Sequence, residues 1–146
     1  MGVLTKLNIG IAGACGRGAS FRLACESVGG VRIHAACDID AEALPRAAAQ
    51  LGATEAYTDY EEMLARSELD AVIVGTPMPL HVPQSIAALE QGLHVLCEVP
   101  AGVSIEECRA LVEACARSDR VYMMAENYTY IRANVIVRSI AERGLL

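Results

Sequence analysis

The sequence predicts an α/β fold, a doubly wound parallel sheet (Rossmann type) of six main strands with helices on both faces. Three observations predict it. Strand-like and helix-like runs alternate along the whole chain, the pattern of a parallel sheet with crossover helices. The composition is 53% hydrophobic with one Phe and no Trp, so Ala, Val, Ile and Leu must build the core. The glycine-rich and polar residues gather just after the strand-like runs, and open α/β sheets hold ligands beyond the carboxyl ends of their strands. At 146 residues the chain suits one domain with a sizeable core.

The first element is the apolar run from Leu7, which breaks into Gly13-Ala14-Cys15-Gly16-Arg17-Gly18. Helical spacing follows, with Phe21, Cys25 and Val28 at i, i+4 and i+7 as the buried face. Strand, tight glycine turn and helix form the first half of a dinucleotide-binding βαβ unit, in which a pyrophosphate meets the N–H groups of the helix start. The usual G-x-G-x-x-G has its first and third glycines here, but Cys15 stands at the middle one, with Gly16 beside it as a replacement. A thiol at that position is expected to have a lowered pKa and to be shielded by a bound cofactor, or else it is only a tolerated small residue. The next strand, Val31 to Cys37, ends in Asp38, where such a unit places a carboxylate for the adenine-side ribose. The alternative for Asp38 is a helix cap, which Asp40 could equally provide.

A helix with Leu44, Ala47, Ala48 and Leu51 inward follows, irregular at Pro45 and closed by Gly52. Ala56-Tyr57-Thr58 reads as a short strand, and Asp59-Tyr60-Glu61-Glu62 as a capping box opening a helix that buries Met63 and Leu64. Leu69 to Gly75 is the clearest buried strand. It runs through Thr76-Pro77 into a helix with Val82, Ile86 and Leu89 inward and Gly92 as its stop. Leu93 to Cys97 is a strand ending at Glu98-Val99-Pro100. Ser104-Ile105-Glu106-Glu107 then caps a helix whose apolar stripe is Cys108, Leu111, Val112 and Cys115. The last strand is Val121 to Ala125, ending at Glu126-Asn127. The last helix runs from about Tyr130 to Arg143, with Ile131, Val135, Ile140, Leu145 and Leu146 making an apolar surface.

The net charge of −6 argues against a nucleic-acid or anionic-membrane surface. No apolar run is long enough to span a bilayer, and no charged-then-apolar leader opens the chain. The six scattered cysteines form no C-x-x-C pair and read as free core thiols of a reducing cytoplasm, with no metal site.

The glycine turn, the strand end at Asp38, Thr76-Pro77 with His81 four residues on, the run Gly92 to Glu98, and Asn127 together resemble the N-terminal half of the Gfo/Idh/MocA oxidoreductases. The resemblance covers nearly the whole chain. It implies an NAD(P)-binding domain over residues 1–127, with NAD expected rather than NADP, and a helix over 128–146 leading toward a second domain absent from this chain. It implies cofactor contacts from Gly13, Cys15, Gly16, Arg17, Gly18 and Asp38 on one side. On the other side come Thr76, Pro77, His81, Glu98 and Asn127, with Glu98 at the nicotinamide-side ribose and His81 in the wall beside it. The alternative for His81 is a first-turn helix residue without ligand contact. Where the family has Glu-Lys-Pro with a proton-transferring lysine, this chain has Glu98-Val99-Pro100. That departure, with the Asn127-Tyr128 segment, is similar to a branch that includes NAD-dependent glycosidases.

The expected function is therefore the nucleotide-binding half of an oxidoreductase acting on a sugar or polyol hydroxyl. An NAD-dependent glycoside hydrolase and a non-catalytic nucleotide-binding module are the alternatives. His81 and Tyr128 are the candidate proton carriers, Tyr130 sharing the position. The expected partners are a small sugar-like substrate and, in the full-length protein, further copies of itself.

Overall fold

A computed structural model describes residues 6–145 of the chain. Its six strands are β1 (Leu7–Ala12), β2 (Val31–Cys37), β3 (Glu55–Tyr57), β4 (Ala71–Val74), β5 (His94–Cys97) and β6 (Tyr122–Met124). They form one sheet in the order β3-β2-β1-β4-β5-β6, parallel throughout. The helices are α1 (Arg22–Val28), α2 (Leu44–Leu51), α3 (Tyr60–Arg66), α4 (His81–Glu90), α5 (Ile105–Arg117) and α6 (Arg132–Glu142). The chain starts in the middle of the sheet, builds outward to β3, and returns to the other side of β1 with β4. A crevice opens where two neighbouring strands send their chains to opposite faces, here between β1 and β4.

The apolar patterns explain the two layers. Val72 and Val74 of β4 face a core with Met63, Leu64, Val82, Leu89 and Leu111, while Ile73 between them faces Ile9, Ile11, Leu44, Ala48 and Leu51. Alternation along one strand thus divides the core between α3, α4 and α5 on one face and α2 on the other. Both expected caps are present. The Asp59 side chain accepts from the Glu62 N–H at 2.8 Å and that of Ser104 from the Glu107 N–H at 3.1 Å, at the starts of α3 and α5.

Two expected core residues are on the surface. Val28 and Val112 are each 68% exposed. Helical spacing names the inward face but not how far a neighbour extends over it. α1 is preceded by a 3₁₀ turn (Arg17–Phe21) that carries Gly18 inward, and α5 buries the expected Leu111 together with Ala114 while Val112 stays outside. The last helix begins later than expected, after a separate 3₁₀ turn at Tyr128–Tyr130. α6 buries no residue, and Val135, Ile136 and Val137 are about half exposed. Leu146 lies outside the described residues.

Candidate functional site: a crevice at the strand ends

The turn after β1 is shaped by close backbone crossing. Gly13 has φ +77°, and a Cβ there would lie 2.4 Å from the Gly75 carbonyl oxygen. A Cβ on Gly18 would meet the Ala12 carbonyl oxygen at 2.7 Å. The turn therefore sits directly on the end of β4. Gly16 is different: a Cβ there would meet nothing closer than the Gly13 oxygen at 3.9 Å. The chain's own packing does not require a glycine at 16, and its backbone is open to approach from outside.

Most of the turn's amides are used internally. Gly13 and Ala14 donate to the Cys37 carbonyl, and Gly16 and Gly18 donate to that of Gly13. Cys15 donates its N–H to Asp38 Oδ2 at 2.8 Å, and Asp38 Oδ1 accepts from the Asp40 N–H at 3.1 Å. Asp38 thus ties the end of β2 to the glycine turn. The capping alternative falls to Asp40, whose Oδ1 accepts from the Glu42 and Ala43 N–H groups just before α2. The same carboxylate corrects the expectation for Cys15. Its thiol pKa is raised, first by burial and then by the negative charge of Asp38, so it is not an activated thiolate.

Between the turn and the β4 end lies a cavity of about 130 Å³, lined by Gly13, Asp38, Tyr60, Thr76, Pro77 and Leu80 among others. Tyr60 and Leu80 were not expected there. The signal was available in that each follows closely on a strand end. Gln84 braces this wall, accepting from Thr76 Oγ1 at 2.6 Å through its side chain and from the Tyr60 hydroxyl at 2.9 Å through its carbonyl.

Glu98, at the end of β5, is 6% exposed. Its Oε1 accepts from Arg17 Nε at 2.5 Å, with Nη2 of the same guanidinium also 2.5 Å away in an ion pair, and its Oε2 accepts from the Val99 N–H at 3.1 Å. The ion pair joins the glycine turn to a strand two places away, reaching past the end of β4. His81 links the same region from below. It is 1% exposed, with Nδ1 2.7 Å from the Pro100 carbonyl oxygen and Nε2 2.8 Å from that of Thr76. With the ring enclosed and both nitrogens facing carbonyls, His81 holds two strand-end loops together and offers no face to a ligand. It stands enclosed in the first turn of α4.

The structure brings Gly13, Cys15, Gly16, Arg17, Gly18, Asp38, Thr76, Pro77 and Glu98 to one crevice. Asn127, Tyr128 and Tyr130 stand in solvent, the tyrosines 68% and 74% exposed. Val99 is 37% exposed. The only lysine of the chain is Lys6, at the start of β1, the opposite end of the strands. No lysine of this chain can therefore serve at Val99. Among the described residues no three His, Cys, Asp or Glu side chains are grouped to hold a metal ion, and no helix is long and apolar enough to cross a membrane.

Comparison with known proteins agrees with this geometry. A curated relative, a glycosyl hydrolase family 109 protein of Shewanella amazonensis, is 34% identical over 97% of this chain and 33% of its own length. The chain thus spans about a third of such relatives. Among solved structures, myo-inositol 2-dehydrogenase from Lactobacillus plantarum superposes with a TM-score of 0.88 at 26% identity, covering 96% of this chain and 42% of that one. The WlbA dehydrogenase from Bordetella pertussis, in complex with NADH and UDP-GlcNAcA, superposes with a TM-score of 0.84 at 27% identity, over 96% of this chain and 40% of that one. The model of the oxidoreductase family with an NAD-binding Rossmann fold matches residues 7–126, and the chain belongs to that Gfo/Idh/MocA family.

Proposed function

We propose that this chain is the cofactor-binding half of an NAD-dependent oxidoreductase acting on a hydroxyl of a sugar or polyol. The observation that carries the reading is the convergence of the glycine turn, Asp38 and Glu98 on one crevice from three separate strand ends. The turn would take the pyrophosphate, Asp38 the adenine-side ribose and Glu98 the nicotinamide-side ribose. Thr76 and Pro77 would form the wall between them. NAD is preferred over NADP because a carboxylate at Asp38 repels a 2′-phosphate, and the nearest following cation, Arg46, is out on α2. Titration of the full chain with both cofactors tests this. NAD should bind more tightly, Asp38→Ala should narrow the gap, and equal or reversed affinities would refute the assignment.

Residues 1–127 would form the cofactor domain, and 128–146 would lead into a substrate domain that supplies the missing acid–base group. The bare apolar side of α6 supports this division and an oligomeric full-length protein, and the free cysteines suit a reducing cytoplasm.

A second reading is NAD-dependent glycoside hydrolysis, in which a sugar hydroxyl is oxidised only transiently. It is favoured by Val99 in the lysine position and by the name of the curated relative. Product analysis separates the two: free NADH accumulates with a dehydrogenase, whereas the hydrolase releases a cleaved glycoside and keeps its NAD.

A further inference from the structure

The Arg17–Glu98 pair poses a problem that the cofactor reading does not solve. A nearly buried carboxylate needs a partner, because an unpaired buried charge is costly. Glu98 has one in Arg17, whose Nε–H is donated to Oε1 and whose Nη2 lies at 2.5 Å from the same oxygen. Arg17 itself is 55% exposed along its side chain and packs 6.0 Å from the centroid of the Phe21 ring. A guanidinium carries five N–H donors in a fixed fork. The Nε–H is given to Glu98, and the Nη donors remain at the mouth of the turn. The amides of Gly13, Ala14, Cys15, Gly16 and Gly18 are already used inside the protein. The donors that the turn can still present to an anion are therefore concentrated at Arg17.

We propose that Arg17 and Glu98 are an exchangeable pair. In the unliganded chain the guanidinium is held on Glu98. When a dinucleotide enters, its pyrophosphate takes the guanidinium, and the carboxylate so released accepts hydroxyls of the nicotinamide-side ribose. Arg17 is thus a specificity-determining residue. It attracts the phosphates and keeps Glu98 covered until they arrive, so that the pyrophosphate prepares the site for the nicotinamide-side ribose. The inference rests on the NAD-binding reading.

The test is calorimetric titration of the full chain with adenosine, ADP and NAD, in the parent, Glu98→Gln and Arg17→Met. Glu98→Gln removes the internal competitor for the guanidinium, so ADP should bind about three- to tenfold more tightly. The preference for NAD over ADP should fall about tenfold, because the ribose loses a charged acceptor. Arg17→Met should weaken ADP about ten- to a hundredfold. Adenosine, which has no phosphate, should bind all three alike and so reports an intact crevice.

The signs decide the matter. Two variants that move ADP affinity in opposite directions support exchange. A Glu98→Gln that weakens ADP, or an Arg17→Met that leaves it unchanged, overturns it and makes the pair a static brace. If Arg17→Met fails to fold, the sign for Glu98→Gln decides alone. A parent that binds both ADP and NAD while the variants fail these signs refutes only the exchange. A parent that binds neither refutes the cofactor reading as well.

Discussion

Replacing Gly13 by alanine should damage both the fold and the crevice, and the size of the effect follows from two terms. The first is conformational. At φ +77° an L-residue with a Cβ costs about 1–2 kcal/mol more than glycine. The second is steric. The new Cβ would lie 2.4 Å from the Gly75 oxygen and 2.7 Å from its carbonyl carbon, while ordinary contact begins near 3.4 Å. The end of β4 must retreat by about 1 Å, and overpacking of this kind costs about 1–3 kcal/mol. Together these give about 2–5 kcal/mol. In a chain of this size that lowers the unfolding midpoint by about 6–20 °C. Thermal unfolding followed by circular dichroism measures it, with Gly30→Ala as the control, since a Cβ there meets nothing within 4 Å. NAD affinity should fall with stability, because the retreat carries Thr76 and Pro77 away from the turn. A Gly13→Ala protein that melts within about 2 °C of the parent would refute the crossing argument.

Three further outcomes are expected. His81→Phe should destabilise the protein by about 1–3 kcal/mol by removing the ring N–H that serves one of the Thr76 and Pro100 carbonyls, and should weaken NAD because both loops line the crevice; chemical denaturation paired with cofactor titration checks it. Cys15 should react slowly with alkylating agents at neutral pH, its rate still climbing above pH 9.0, and Asp38→Asn should speed it; timed labelling with peptide mapping would expose the opposite trend. Stability should also decline in alkali. Burial pushes the Cys37 thiol up to about 12 and raises the Tyr60 and Tyr122 hydroxyls, so the unfolded chain releases these protons at lower pH than the folded one. The stabilisation is complete below the unfolded thiol range and is lost as pH rises toward 12, which denaturant midpoints across that window would show.

What could be read from the sequence was local. The glycine turn, the two side-chain caps and the buried strand β4 each declare themselves within a few consecutive residues, and the structure has them in place. Asp38 and Glu98 were legible because strand ends are where such sheets collect polar groups. The contacts that organise the crevice were not legible. Arg17 and Glu98 are 81 residues apart, and His81 and Pro100 are 19 apart, so no short pattern contains both members. Cys15 shows the same limit. Its position at a helix start argued for an acidic thiol, but β2 delivers Asp38 to its side, and that charge acts the other way. Val28 and Val112 failed for a related reason, since an apolar stripe marks a face without showing how much of it a neighbour covers.

The strand order has a consequence for the order of assembly. Of the six described strands β1 is synthesised first, yet its two neighbours are β2, which ends at Cys37, and β4, which begins at Ala71. The half-sheet β3-β2-β1 can close as soon as Tyr57 has emerged, but the second edge of β1 has nothing to pair with until β4 follows. Residues 58–70 separate the two events, and at roughly 5–20 residues per second that interval is about 0.7–2.6 s. During it, the backbone groups of Ile9 to Ala12, which later pair with Ala71 to Val74, are a bare strand edge in the centre of the future molecule. A nascent chain stalled between Tyr57 and Ala71 should therefore be the species most prone to associate with its neighbours, and the most dependent on chaperones.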